Sequence, residues 1–150
     1  MKNRPNFKFV WVGLASGFVG NGILGMLFSI PFIKAILYNP LIQSDVFIQI
    51  TPTRNVPTSV IGLIILGIIP TYLFMRLSRS IPGTGWFSKG VFWGFSIWGM
   101  FWVMQEWFIY HTLLQEPLIL NFLELALLLI GSIAQGLLIS YFYKKEILEL

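Results

Sequence analysis

The stretch VFWGFSIWGMFWVMQEWFIYH, residues 91–111, decides the fold. From Val91 to Gln105 it carries no charged side chain, and four tryptophans crowd it. A helix needs about 20 predominantly apolar residues to cross a hydrocarbon core, and this run supplies them. It reads as a helix meant for lipid, yet it closes on Glu106 and on His111, the only histidine of the chain.

Working outward, three more runs have the same character. The expected spans are 9–33, 58–75, 91–110 and 117–143. Across the whole chain 56% of residues are hydrophobic and 11% are charged, where a soluble domain carries roughly 25% charge. That leaves too little polar surface to cover a water-soluble globule. One all-α integral membrane domain over residues 1–150, a four-helix transmembrane bundle, is therefore expected.

The basic residues flank the apolar runs instead of forming one patch, which argues against nucleic acid. Lys2, Arg4 and Lys8 precede the first run, Arg76, Arg79 and Lys89 separate the second from the third, and Lys144 and Lys145 follow the fourth. The opposite side has Lys34 and Arg54. Cytoplasmic loops hold the excess of Lys and Arg, so both termini are expected in the cytoplasm, with a bacterial inner membrane as the setting. The first run exceeds a signal-peptide core, and no small-residue cleavage site follows it; an uncleaved first helix is expected.

Small residues set the packing, because close approach does much of the work of association inside lipid. Gly13, Gly17, Asn21 and Gly25 recur every four residues on the first helix; Gly90 and Gly94 mark the third, and Ser132, Gly136 and Ser140 the fourth. These faces predict a core with the second helix more peripheral. Asn21 and Gln135 are expected to pair as an intramembrane hydrogen bond. Trp98 and Trp102 lie deep enough to pack on glycine faces or to line a site for a flat ring. Setting Gly20, Ile23, Gly25 and Met26 on Gly94, Ile97, Gly99 and Met100, with Gly67 on Gly131, outlines a two-hairpin internal pseudo-repeat. The outer connection alternates Val46, Ile48 and Ile50 against Phe47 and Gln49. That is an extended pattern, read as a cap over the outer mouth of the bundle.

Glu106 lies roughly 6 Å inside the outer end of the third helix, and Glu124 about 9–10 Å inside the fourth. A short turn joins these two helices, so both carboxylates come to a similar depth, with His111 and Glu116 just above them. Acids in a membrane usually face a partner or a cavity and often mark ion or proton paths. Glu106, Glu124, His111 and Glu116 thus form a candidate proton or cation site. Glu106, Glu124 and His111 are an alternative metal set, and snorkelling of both acids to nearby water is the structural alternative.

GWFSKGVFWGFSIW, Gly85 to Trp98, resembles the inner-loop-into-helix segment of some small uncharacterised bacterial four-helix membrane proteins. Gly85, Trp86, Lys89, Gly90 and Gly94 carry the resemblance. It spans under a tenth of the chain; it implies the four-helix fold and brings no activity with it.

Several functions are excluded. The chain has no cysteine, which removes thiol, disulfide and thiolate-metal chemistry. A lone histidine does not serve bis-histidine haem. A membrane serine protease needs serine and histidine at matching depth, whereas His111 lies at the outer edge and the candidate serines carry no nucleophile-turn signature. No cofactor and no glycine-rich phosphate loop are expected. Three readings remain: a small accessory or structural subunit of a larger membrane complex, on which the balance falls; a proton- or cation-coupled transporter, oligomeric by expectation; and a membrane enzyme acting on a lipid or quinone. No complete catalytic constellation is present, which leans against the last.

Overall fold

The structure, a computed structural model, describes residues 7–49 and 56–148. The expected charges at Lys2, Arg4 and Arg54, and Ile50 of the outer connection, lie outside the described residues. Every regular element among the described residues is helical. They are α1 (Lys8–Ser29), α2 (Pro31–Leu37), α3 (Asp45–Gln49), α4 (Val56–Leu77), α5 (Trp86–Ile97), α6 (Leu118–Phe142) and α7 (Lys144–Leu148). Three of them, α1, α4 and α6, are long and apolar enough to cross a membrane.

The rod that begins as α5 is unusual. Beyond Ile97 it continues in wider π-helical turns, Trp98–Val103 and Glu106–Leu113, with Ile97, Met104 and Gln105 all in right-handed helical conformation. The axis therefore runs unbroken from 86 to 113 while its hydrogen-bond pattern changes. Such stretches are rare and tend to fall at functional sites.

Two expectations about local structure are corrected. The first helix does not run on to Ile33: Ile30, which precedes Pro31, takes φ −59° and ψ 124°, the extended conformation that a following proline imposes. The chain restarts there as α2. The outer connection is not extended from Val46 to Gln49 but helical, as α3. Ser44 Oγ accepts the Phe47 amide at 3.1 Å, and this local cap outweighs the two-residue alternation.

The helices associate as two hairpins. α4 lies on α1, α5 lies on α6, and α1 also runs along α6, whereas α4 barely meets α6. Half of α6's apolar stretch is buried, against 22% for α4, so α6 is the shared wall. Each hairpin crosses on glycine. A Cβ at Gly13 would lie 2.8 Å from Ile68 Cα, and one at Gly17 2.9 Å from Gly67 Cα. In the second hairpin a Cβ at Gly94 would lie 2.6 Å from Ile133 Cα, and one at Gly90 2.9 Å from Leu137 Cα. Ser132 is buried beside Gly94, and Gly136 faces the backbone of both Gly90 and Gly94. Gly25 is a correction: nothing lies within 4 Å of its Cβ position, because the crossings that use α1 fall earlier along it.

The expected pairing of Asn21 with Gln135 is replaced by two separate solutions. Asn21 Nδ2 donates to its own helix at Gly17 O, 2.8 Å. Gln135 Nε2 donates to Leu66 O at 2.9 Å. The second bond follows from Pro70, which sits inside α4 and has no N–H to offer the carbonyl four residues back. In lipid that carbonyl must be satisfied by protein, and Gln135 reaches across from α6 to do so. Trp93 Nε1 also donates to Pro70 O, 3.2 Å, tying α5 to the same turn.

At the end that holds α7, Lys8 Nζ caps the carbonyl of Phe142 at 2.7 Å and meets Glu146 at 2.6 Å. Lys89, buried, donates to Ser78 O. Phe74, Trp93, Ile139 and Tyr143 form the apolar core beneath.

Candidate functional site: a buried carboxylate cluster

The turn from the third rod into α6 builds the site. Leu114 N still bonds back five residues to Ile109 O, in π register, and Glu116 N bonds back six to Tyr110 O, closing the chain reversal. Gln115 then takes φ 57°. A left-handed conformation is uncommon outside glycine and asparagine, and strain of this kind gathers at sites where the surroundings over-determine it. The reversal turns Glu116 inward, to full burial. Pro117 precedes α6 as its N-cap residue, and one and two turns later Asn121 and Glu124 face the same interior.

Oxygens of Glu106, Glu116 and Glu124 all lie within 4.8 Å of one another. Exposure is 3% for Glu106, 0% for Glu116 and 8% for Glu124. None of the three is at the surface, which answers the snorkelling alternative: these side chains do not reach outward to water. Among the described residues the ion pair that forms, Lys8 with Glu146, sits at the opposite end of the molecule.

Two amides organise the cluster. Asn121 Nδ2 donates to Glu106 O at 2.8 Å and approaches Glu106 Oε2 at 3.4 Å. Gln43, from the connection between α2 and α3, donates through Nε2 to Glu116 Oε1 at 2.7 Å and to Leu37 O at 3.1 Å. Its Oε1 accepts Ser44 N at 2.9 Å, which fixes the amide's orientation. Ser44 Oγ donates to Leu114 O. The outer connection is thus fastened onto the 114–117 turn directly above the acids. Burial pushes the Glu116 carboxyl above the ordinary carboxylate range, against the opposing effect of the hydrogen bond from Gln43.

His111 is not part of the gathered set. Its Nδ1 meets Glu116 O at 2.8 Å; a carbonyl only accepts, so Nδ1 carries the proton, and the ring braces the turn. Trp107 stacks at a tilt 5.5 Å from it. Of the alternative metal set expected from sequence, Glu106 and Glu124 gather, and the third side chain beside them is Glu116, not His111. Trp98, read as a packing or ring-binding residue, donates through Nε1 to Leu125 O at 2.8 Å.

Sequence reasoning missed Asn121 and Gln43. Asn121 had a signal, since it lies three residues before Glu124 and so on the same helical face. Gln43 had none, because a glutamine in a polar connection is ordinary.

Set against family models, curated proteins and solved structures, the chain shows no significant match.

Proposed function

We propose that this is a four-crossing integral membrane protein of a bacterial inner membrane, with both termini cytoplasmic, acting as a small cation-coupled transporter through the Glu106–Glu116–Glu124 cluster. The fourth crossing in this reading is the composite rod from 86 to 113. The observation that carries it is three buried carboxylates within 4.8 Å. Two ionised groups at that distance repel by about 3.5 kcal/mol at an effective dielectric constant near 20. Intramembrane acids without a counter-charge are expensive and mark ion pathways. The cluster therefore calls for positive charge from a mobile ion. The π turns that precede and include Glu106 are of the kind that falls at functional sites.

The test is reconstitution into vesicles with imposed gradients of H+, Na+ and Ca2+, following ion-sensitive dyes inside. Wild type should carry one of these ions at least tenfold faster than the Glu124→Gln variant. Equal fluxes in wild type, variant and protein-free vesicles would sink the reading.

One observation favours a second reading. α4 leans on α1 and leaves most of its apolar surface uncovered, as a helix does when it docks on a larger assembly. An accessory subunit would then emerge from native mass spectrometry with stoichiometric foreign chains attached.

A further inference from the structure

The carboxylate cluster contains more than negative charge: it contains oxygen atoms left without donors. Glu116 Oε2 and Asn121 Oδ1 are both buried and have no hydrogen-bond partner, in residues 0% and 1% exposed. Buried acceptors are nearly always satisfied, so two such atoms in one place call for an account. Asn121 cannot be reversed to remove the problem, because its Nδ2 is already committed to Glu106 O at 2.8 Å. Glu116 is likewise held, its Oε1 taken by Gln43 at 2.7 Å, so Oε2 is the oxygen left over.

We propose that Glu106, Glu116, Glu124 and the side-chain oxygen of Asn121 form a binding site for a hard divalent cation of Ca2+ size. The donor set is all oxygen, which suits hard cations and disfavours zinc and copper. Oxygens on opposite sides of one Ca2+ ion are at most about 5 Å apart, since each bond is about 2.3–2.6 Å, and carboxylate oxygens mutually within 4.8 Å meet that limit. Hydration narrows the choice: Mg2+ gives up its water reluctantly, and this site is buried. Two positive charges against three carboxylates leave a remainder of one, so the ion removes most of the repulsion. Gln43 serves as a positioning residue: it orients Glu116 from the outer connection, as partners behind a ligand do.

The inference rests on the cation-coupled reading in using the same cluster, but its test requires no transport. Full-length protein in detergent, stripped with chelator, is titrated with Ca2+ in a calorimeter. Tb3+ luminescence excited through the neighbouring tryptophans is then displaced by Ca2+. The expected result is one Ca2+ per chain, Mg2+ and Na+ at least tenfold weaker, and a higher melting temperature with Ca2+ present. Glu116→Gln should lose at least tenfold in Ca2+ affinity while keeping its helical circular dichroism. If that variant does not fold, the Tb3+ displacement and cation selectivity of the wild type decide alone. Absence of Ca2+ binding, equal binding by Mg2+ or Na+, or a folded Glu116→Gln with unchanged affinity would each overturn the site. Ca2+ bound without any flux removes only the transporter reading, and flux of H+ or Na+ without Ca2+ binding removes only this one.

Discussion

The two hairpins use one device and put it to different ends. In α1 and α4, Gly13 and Gly17 close on Gly67; in the second pair, Gly90 and Gly94 close on Gly136. Each first helix presents two glycines four residues apart, and each second helix answers with one. Above its crossing the first hairpin contains no acidic side chain within its long helices, and α1 and α4 stay regular. Above its own crossing the second hairpin widens into π turns and buries three carboxylates. The lesson is a division of labour: glycine contact fixes the half of the hairpin nearer α7, and that anchorage leaves the other half able to hold a strained, polar arrangement.

Overpacking should break the comparison most severely. Gly136→Ala drives a methyl into the backbone of Gly90 and Gly94 and should cost about 3 kcal/mol, the upper part of the range for overpacked cores. Gly67→Ala, with one severe contact at Gly13 O, should cost less, and Gly62→Ala, with nothing within 4 Å, should be within about 0.5 kcal/mol of wild type. Thermal unfolding in detergent ranks the three. Equal losses at Gly136 and Gly62 would refute the glycine crossing.

The link between the hairpins comes next. Gln135→Leu leaves Leu66 O without its donor and should cost about 1 kcal/mol, in the range of interhelical bonds in membranes. In a Pro70→Ala background the backbone supplies that donor, so the same substitution should cost much less. A double-mutant cycle with no coupling would show that Pro70 is not the reason for Gln135. Gln43→Leu tests the outer end, where it strips Glu116 of a hydrogen bond. A loss of about 0.5–1 kcal/mol is expected, read by the same melts.

The smallest effect joins the two terminal helices. Glu146 is exposed; the little burial it has pushes its carboxyl upward, but the Lys8 ammonium overrides this and holds it below the ordinary value. A carboxyl lowered in the folded state adds stability above its unfolded pKa and loses it as pH falls through the folded one. Glu146→Gln should therefore cost at most a few tenths of a kcal/mol at neutral pH, given exposure and screening. The difference from wild type should shrink as pH falls below about 4.3, the ordinary value, and vanish once the lowered one is passed. A gap undiminished at pH 3 would mean that the pair is not the cause.

How much of this was legible depended on whether the signal was periodic. The apolar runs and the four-residue glycine spacing are periodic, and they led to the helices and to faces that the structure uses at Gly13, Gly17, Gly90, Gly94 and Gly136. Depth along antiparallel neighbours placed Glu106 and Glu124 at one level, and their carboxylates lie within 4.8 Å. The π register has no such signal, since it arises from packing of the whole rod and not from the preferences of Trp98 or Glu106. Pairings across the bundle were equally hidden. Gln135 looked toward Asn21 because both are polar, while the real demand came from a missing N–H at Pro70. The glycine echo aligned Gly67 with Gly131, yet the crossings place Gly67 and Gly136 in equivalent roles.

The position of α6 as shared wall has a consequence for biogenesis. It follows α1, α4 and α5 in the chain, so during synthesis those helices emerge before their common partner exists. Until α6 arrives, the Leu66 carbonyl has no Gln135 to meet it, and the faces of Gly20, Gly90 and Gly94 have nothing to close on. The nascent protein is then half-assembled with its packing faces uncovered, and a chain cut short before Leu118 should be degraded instead of accumulating.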